Sequence, residues 1–193
     1  MRSLLLAVFV GAAVSSAAHA GVTDVSVSSD TNIYCPYTFY SSSSLVDLGD
    51  TSSPLNQYAA AQLQMDVTAD GDPTLTLQNT INNDTAGPWT GYIVDVTMNQ
   101  YFTISGLSVS NPGWTITLVQ SPQVGGPFTG EIDLDMGTGS AIQVGQDLDF
   151  SYQVTFNGGA TISETLTPVP EPGSFSLLAA GATLLGLAWK RRK

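Results

Sequence analysis

Aspartate residues form two short D-x-D pairs late in the chain. In the stretch EIDLDMG, Asp133 and Asp135 alternate with apolar residues, and in QDLDFSY, Asp147 and Asp149 do the same. Because successive side chains of a strand point to opposite faces, each pair would share one face. If the two strands are neighbours, the carboxylates would converge at about 5 Å cross-strand spacing, which predicts a Ca²⁺ site. The alternatives are two solvated strand faces or a catalytic carboxylate pair.

Three large aromatic residues beside predicted turns form a second candidate site. Trp89 and Tyr92 follow the turn sequence AGP, and Trp114 follows NPG. Planar rings at the edge of a β-sandwich could stack against sugars while nearby polar side chains bind the sugar hydroxyls. The alternative is that these rings fill the protein core. The three residues are therefore candidate glycan contacts or core residues.

Residues 21–169 lack the basic side chains on which much protein chemistry depends. The Lys and Arg residues are Arg2 and the last four positions, and the single histidine is His19. Without cations this region would repel nucleic acid. Without histidine it cannot form a Ser-His-Asp triad, and with Cys35 as its single cysteine it cannot form a Cys/His zinc site. We therefore expect no enzyme and no nucleic-acid partner, the alternative being a carbohydrate-active enzyme that uses two carboxylates.

The same region is strongly acidic. Fifteen Asp and Glu residues and no base give residues 21–169 a net charge near −15. Such a charge keeps a protein soluble and monomeric at low salt. We expect Ca²⁺, if it binds, to bridge the domain to acidic polymers.

Seven segments alternate apolar and polar residues with the period of a half-buried β-strand. They are rich in Val, Ile, Thr, Tyr and Phe, and turn sequences such as ADGDP, NNDTAGP and NGG separate them. The segments are VTDVSVSS, AQLQMDVTA, PTLTLQN, TGYIVDVTM, GWTITLVQ, GEIDLDMG and DLDFSYQVTFNG. Roughly seven to ten strands at this spacing predict an all-β domain, an antiparallel β-sandwich over residues 21–167.

The first 20 residues have the pattern of a secretory signal peptide. Arg2 precedes an apolar run, and the small residues Ala18 and Ala20 form an A-x-A cleavage site that leaves Gly21 as the new N-terminus. The alternative, a membrane-spanning helix, is disfavoured because the apolar run is too short. The segment predicts that the protein is exported.

The other end predicts a membrane helix. Residues 174–189 carry no charge, and Lys190, Arg191, Arg192 and Lys193 follow them. As a helix they would reach roughly 24 Å, less than the roughly 30 Å hydrocarbon core, a difference that snorkelling basic side chains can close. The basic residues would form a cytoplasmic tail, residues 190–193, by the positive-inside rule. The prolines of residues 168–173 predict an extended spacer before the helix.

This tail resembles the PEP-CTERM sorting signals of Gram-negative bacteria. The resemblance rests on Pro170, Glu171 and Pro172, the apolar segment after them and the terminal basic cluster. It implies that a membrane-embedded exosortase cuts near the motif and passes the protein from an inner-membrane intermediate to the cell surface or the extracellular matrix. Proteins with this signal are often associated with exopolysaccharide and biofilm.

We therefore expect an exported, non-catalytic cell-envelope or matrix protein that acts in adhesion or in exopolysaccharide association. Its partners would be an exosortase, the membrane before processing, and a polysaccharide. The alternatives are the carboxylate-based enzyme described above and a simple membrane-anchored ectodomain.

Overall fold

The computed structural model describes residues 21–30, 32–52 and 59–171. Within these ranges the chain forms twelve β-strands and no α-helix. The strands are β1 (Val22–Ser29), β2 (Ile33–Tyr34), β3 (Tyr37–Tyr40), β4 (Leu45–Ser52), β5 (Ala61–Ala69), β6 (Thr74–Asn82), β7 (Trp89–Met98), β8 (Thr103–Val109), β9 (Thr115–Gln120), β10 (Thr129–Asp135), β11 (Asp147–Thr155) and β12 (Ala160–Pro170). The predicted all-β class is confirmed.

The two chain ends fall outside this description. The predicted signal peptide with its cleavage residues, the predicted membrane helix (residues 174–189) and the basic tail all lie outside the described residues. Within residues 21–30, 32–52 and 59–171, no helix is long and apolar enough to cross a membrane.

The strands form two sheets that pack face to face. Sheet A has the order β1-β5-β12-β7-β10-β9, and sheet B has the order β2-β4-β6-β11-β8, with β3 also paired to β4. The pairing is antiparallel except between β4 and β6, which run parallel. Sheet B is therefore mixed, whereas the alternation of residues had predicted a wholly antiparallel sandwich.

Apolar side chains from the two sheets fill the space between them. Leu63 and Met65 of sheet A are almost fully buried, as are Leu75 and Leu77 of sheet B. Burial of apolar surface stabilises such a core by about 25 cal/mol per Å². The intervening residues of each strand point outward, which is the alternation that the sequence displays.

The predicted strands agree with the structure to different degrees. Two segments, VTDVSVSS and AQLQMDVTA, coincide with β1 and β5, and the other five overlap β6, β7, β9, β10 and β11. Strands β2, β3, β4, β8 and β12 were not predicted. In β8 the alternation is interrupted at Gly106, whose φ is 61° and which lies where the register with β11 shifts. A bulge of this kind shifts the inward–outward alternation of side chains, so the strand has no continuous pattern in the sequence.

Two glycine-containing loops approach each other closely at the start of β9. Gly113 has a φ of 79°, and a Cβ added to it would lie 2.5 Å from the backbone N of Gly139. The close approach positions the neighbouring Trp114, whose indole Nε1 donates a hydrogen bond of 2.8 Å to the Ser140 carbonyl oxygen.

Replacing Gly113 with alanine should destabilise the sandwich more than the same change at Gly125. Gly125 also has a positive φ, 93°, but no atom lies within 4 Å of an added Cβ. Both variants strain the backbone, and Gly113→Ala adds a steric clash that we expect to lower the free energy of unfolding by a further ~2 kcal/mol. Urea unfolding followed by tryptophan fluorescence measures the difference. Equal losses in the two variants would contradict the tight packing of these loops.

Candidate functional site

Strand β12 continues from the sandwich into the predicted proline-rich spacer. Residues 168–170 pair with Tyr92, Gly91 and Trp89 of β7. On its other side β12 pairs with β5 only as far as Leu166. Among the described residues, the prolines therefore adjoin one neighbouring strand, as expected for residues without an N–H donor. The stretch is extended as predicted, but its first three residues are part of sheet A, so the strand passes the predicted domain boundary at residue 167.

The residue after this strand is also held by the sandwich. The Glu171 backbone N–H donates a hydrogen bond of 3.1 Å to the carbonyl oxygen of Pro88, while its side chain is exposed. Pro172 lies outside the described residues. Two of the three predicted motif residues are thus held by the sandwich. Pro170 pairs with β7, and Glu171 bonds to Pro88, the residue before β7.

The two D-x-D pairs do not come together. Asp133 and Asp135 lie on β10 in sheet A, whereas Asp147 and Asp149 lie on β11 in sheet B. The buried residues of β10 and β11 point into the core, so each aspartate pair lies on the outer side of its own sheet. The condition for the predicted Ca²⁺ site, that the two strands are neighbours, is not met, so the four carboxylates do not converge. Nor does any other group of three or more His, Cys, Asp or Glu side chains in the described parts of the chain have the arrangement to hold a metal ion.

Asp133 nevertheless has an unusual environment. Its Oδ1 is buried and has no hydrogen-bond partner among the described residues. Partial burial raises the pKa of Asp133, and the nearby carboxylates of Asp135 and Asp95 raise it further. The pair is thus an acidic strand surface on which like charges repel one another.

The three predicted glycan contacts are core residues. Trp89 and Tyr92 are almost fully buried with ring centroids 5.3 Å apart, and Trp114 is 6 % exposed. The Trp89 Nε1 donates a hydrogen bond of 2.8 Å to the Thr85 Oγ1. Since the rings gain more from burial than from exposure, and the indole N–H groups have partners inside the protein, the predicted sugar platform was wrong. The alternative of core packing is what the structure shows.

A buried carboxyl group lies between the sheets, and the sequence analysis missed it. Glu164 of β12 points into the core between Ile162 and Leu166 and has no exposed surface. Its Oε1 accepts a hydrogen bond from the Tyr152 hydroxyl of sheet B, while its Oε2 has no partner within the described residues. The segment ATISETLT contains the clue, because its alternation puts the glutamate at an apolar position.

Burial has the largest effect on the pKa values of Glu164 and Tyr152. It raises the pKa of Glu164 from 4.5 to about 7, against the opposing effect of the hydrogen bond from Tyr152. Burial, followed by the proximity of Glu164, raises the pKa of Tyr152 well above its ordinary value. Near neutral pH Glu164 is therefore protonated in a large fraction of folded molecules.

The outer face of sheet B presents hydroxyl, amide and carboxylate groups in register. Asp47, Gln78, Ser151 and Ser108 form one row across β4, β6, β11 and β8. A groove of about 390 Å³ lies on this face. Its polar lining residues are Gln78, Asn79, Ser108, Ser110, Asp149 and Ser151. Such groups can exchange hydrogen bonds with the hydroxyls of a sugar.

The exposed aromatic residues are different from those predicted. Tyr34 is 73 % exposed, and Tyr37, Tyr40 and Tyr101 are each at least 40 % exposed. Three of these tyrosines lie on β2 and β3, the short strands that pair with one edge of β4. The segment NIYCPYTFY contains them, and its density of tyrosine was the feature that could have identified them. Cys35, in the same segment, packs partly buried against the core.

Comparison with protein families identifies the end of the chain. Residues 168–193 match the family described as the PEP-CTERM protein-sorting motif. Neither curated proteins nor solved structures give a match to the chain. The match begins at Pro168, inside β12, and includes the motif residues and the basic cluster on which the predicted resemblance rests. Residues 168–193 thus match a PEP-CTERM protein-sorting motif, which supports an exported protein sorted by an exosortase.

Proposed function

We propose that this protein is a non-catalytic component of the cell envelope or extracellular matrix that associates with exopolysaccharide in adhesion or biofilm. The observation that carries the proposal is a sorting motif joined without a spacer to a folded β-sandwich. The signal directs the chain outward, and the sandwich is the part that would act there.

The outer surface of sheet B supports binding to a neutral polysaccharide. Its groove is lined by hydroxyl, amide and carboxylate groups. Tyr34 and Tyr40 are exposed and alternate with Ile33 and Phe39, which pack on the core, so their rings are available for stacking on this surface. Tyr37 lies opposite the buried Leu48 and is not part of it. With a net charge near −15 over residues 21–169, the domain would repel acidic polymers. Since the four aspartates that would have held a bridging Ca²⁺ lie on different sheets, an uncharged polysaccharide is the partner we favour.

The positions of the acidic and aromatic residues favour a binding role over catalysis. A glycosidase needs two carboxyl groups that face one cleft. The two aspartate pairs lie on different sheets, and Glu164, which has the raised pKa of a general acid, is sealed inside the core. The tryptophans that would line a sugar cleft are buried as well.

The sorting part of the proposal is tested by intact mass and location in cells with and without the exosortase. We expect loss of the tail and appearance of the protein at the surface only when the exosortase is present. A full-length protein that stays in the inner membrane in both strains would instead indicate a simple anchored ectodomain.

The binding part is tested by replacing one glutamine on each sheet. Gln78 on β6 and Gln64 on β5 are both exposed, but only Gln78 lines the groove of sheet B. We expect Gln78→Ala to weaken retention on the exopolysaccharide of the producing strain, or on a neutral glucan, by about two- to tenfold because it removes one hydrogen-bonding group. Gln64→Ala is the matched control. Equal retention of both variants, or none by the wild type, would contradict polysaccharide binding at this face.

A further inference from the structure

The sorting motif begins inside a strand that helps to hold the sandwich together. β12 lies between β5 and β7 in sheet A, and its pairing with β7 extends without a gap from Ile162 to Val169 before a register shift at Pro170. Pro168 is buried. The first residues of the motif are therefore folded structure, and they contribute to the same sheet as the core of the domain.

Close packing holds the end of this strand. Gly91 of β7 lies opposite Val169, and a Cβ added to Gly91 would be 3.4 Å from the Val169 Cβ and 3.2 Å from the Leu134 carbonyl oxygen. The backbone hydrogen bond from Glu171 to Pro88 extends the attachment one residue beyond the strand. Detaching this end would break that bond and expose Pro168.

We propose that β12 sets the boundary of exosortase processing, so that the enzyme cuts C-terminal to Glu171 and the mature protein keeps the complete strand. A proteolytic enzyme needs a segment whose backbone it can reach, and backbone held in a sheet is protected unless it opens locally. Cleavage breaks one backbone C–N bond, the acyl carbon gains the oxygen of water, and the departing tail leaves as an amine. This inference rests on the exosortase sorting in the proposed function and is independent of polysaccharide binding.

Trypsin can test the protection because the chain has no Lys or Arg between Arg2 and Lys190. A single arginine placed in this region therefore creates one assignable cut. We compare Pro170→Arg, inside the protected segment, with Gly173→Arg, beyond it, in the full-length protein in mild detergent. Each rate is divided by the rate for a synthetic peptide of the same sequence, which removes the influence of neighbouring residues on trypsin.

We expect the normalised cleavage of Pro170→Arg to be at least about tenfold slower than that of Gly173→Arg, because the strand must open first. Adding Gly91→Val to Pro170→Arg should remove most of the protection, with near-UV circular dichroism showing that the sandwich remains folded. Equal normalised rates for Pro170→Arg and Gly173→Arg would overturn the inference.

The position of the exosortase cut is measured from the intact mass of the wild-type protein after co-expression with its exosortase. A mature C-terminus at Glu171 or beyond is the expected result. A mature protein that ends at or before Pro170, or one that keeps the whole tail, would overturn the proposal. A retained tail would also overturn exosortase sorting, whereas a mature end at or before Pro170 would overturn the boundary alone. Failure of polysaccharide binding would leave this mass unchanged.

Discussion

The free energy of unfolding of the wild-type protein is expected to fall as the pH rises from 4.5 to about 7. Replacing Glu164 with glutamine should remove most of this fall. The carboxyl has a pKa of 4.5 in an exposed setting and about 7 in the folded core. Between these values the folded protein binds more protons than the unfolded chain, so its free energy of unfolding falls as the pH increases. The stabilisation is fully present below pH 4.5 and is lost as the pH passes 7.

The expected size of this fall in the free energy of unfolding follows from the shift in the pKa of Glu164. Each pH unit in this window lowers the free energy of unfolding by about 1.4 kcal/mol, or ~3 kcal/mol across the window. Glutamine keeps an oxygen that accepts the Tyr152 hydrogen bond but carries no titrating proton. Urea unfolding at four pH values between 4.5 and 7.5 measures the slope for each variant.

Asp133 adds a loss of stability of the same sign that begins above pH 3.8, because its pKa is also raised from that value. The matched control is Glu131→Gln, which changes a glutamate on the outer side of β10. An identical pH dependence in wild type and Glu164→Gln would show that the buried carboxyl does not titrate in this range.

Replacing Trp89 with alanine should be among the most destabilising single changes in the sandwich. The side chain is fully buried, packs on Tyr92 and donates its indole hydrogen bond to Thr85. Truncation of a buried tryptophan costs about 3–5 kcal/mol because it removes apolar contacts and leaves a cavity. Thermal unfolding followed by circular dichroism measures the loss.

The control for this change is Tyr34→Ala, since Tyr34 is 73 % exposed. We expect its effect on the free energy of unfolding to stay within about 0.5 kcal/mol. If Trp89→Ala folded with wild-type stability but no longer bound polysaccharide, the tryptophan would be a ligand contact and not a core residue.

Several properties of this protein followed from the sequence by itself. Period-2 alternation identified the all-β class because it depends only on the order of residues along one strand. The sorting tail was recognisable because the motif, the apolar segment and the basic cluster are consecutive, and the family match to residues 168–193 confirms it. Because residues 21–169 contain no Lys, Arg or His, a Ser-His-Asp triad and phosphate binding through basic side chains could be excluded for this region without knowledge of the fold.

Other properties were decided only by the tertiary structure. Alternation places Asp133 and Asp135 on one face, but it does not say that β10 pairs with β7 and β9 rather than with β11. Neighbouring turns made Trp89 and Trp114 candidates for the surface, whereas packing of the two sheets buries both. Strand pairing is set by contacts between distant parts of the chain, and so is the burial that follows from it. For the same reason neither the burial of Glu164 nor the inclusion of the first motif residues in β12 was predicted from the sequence.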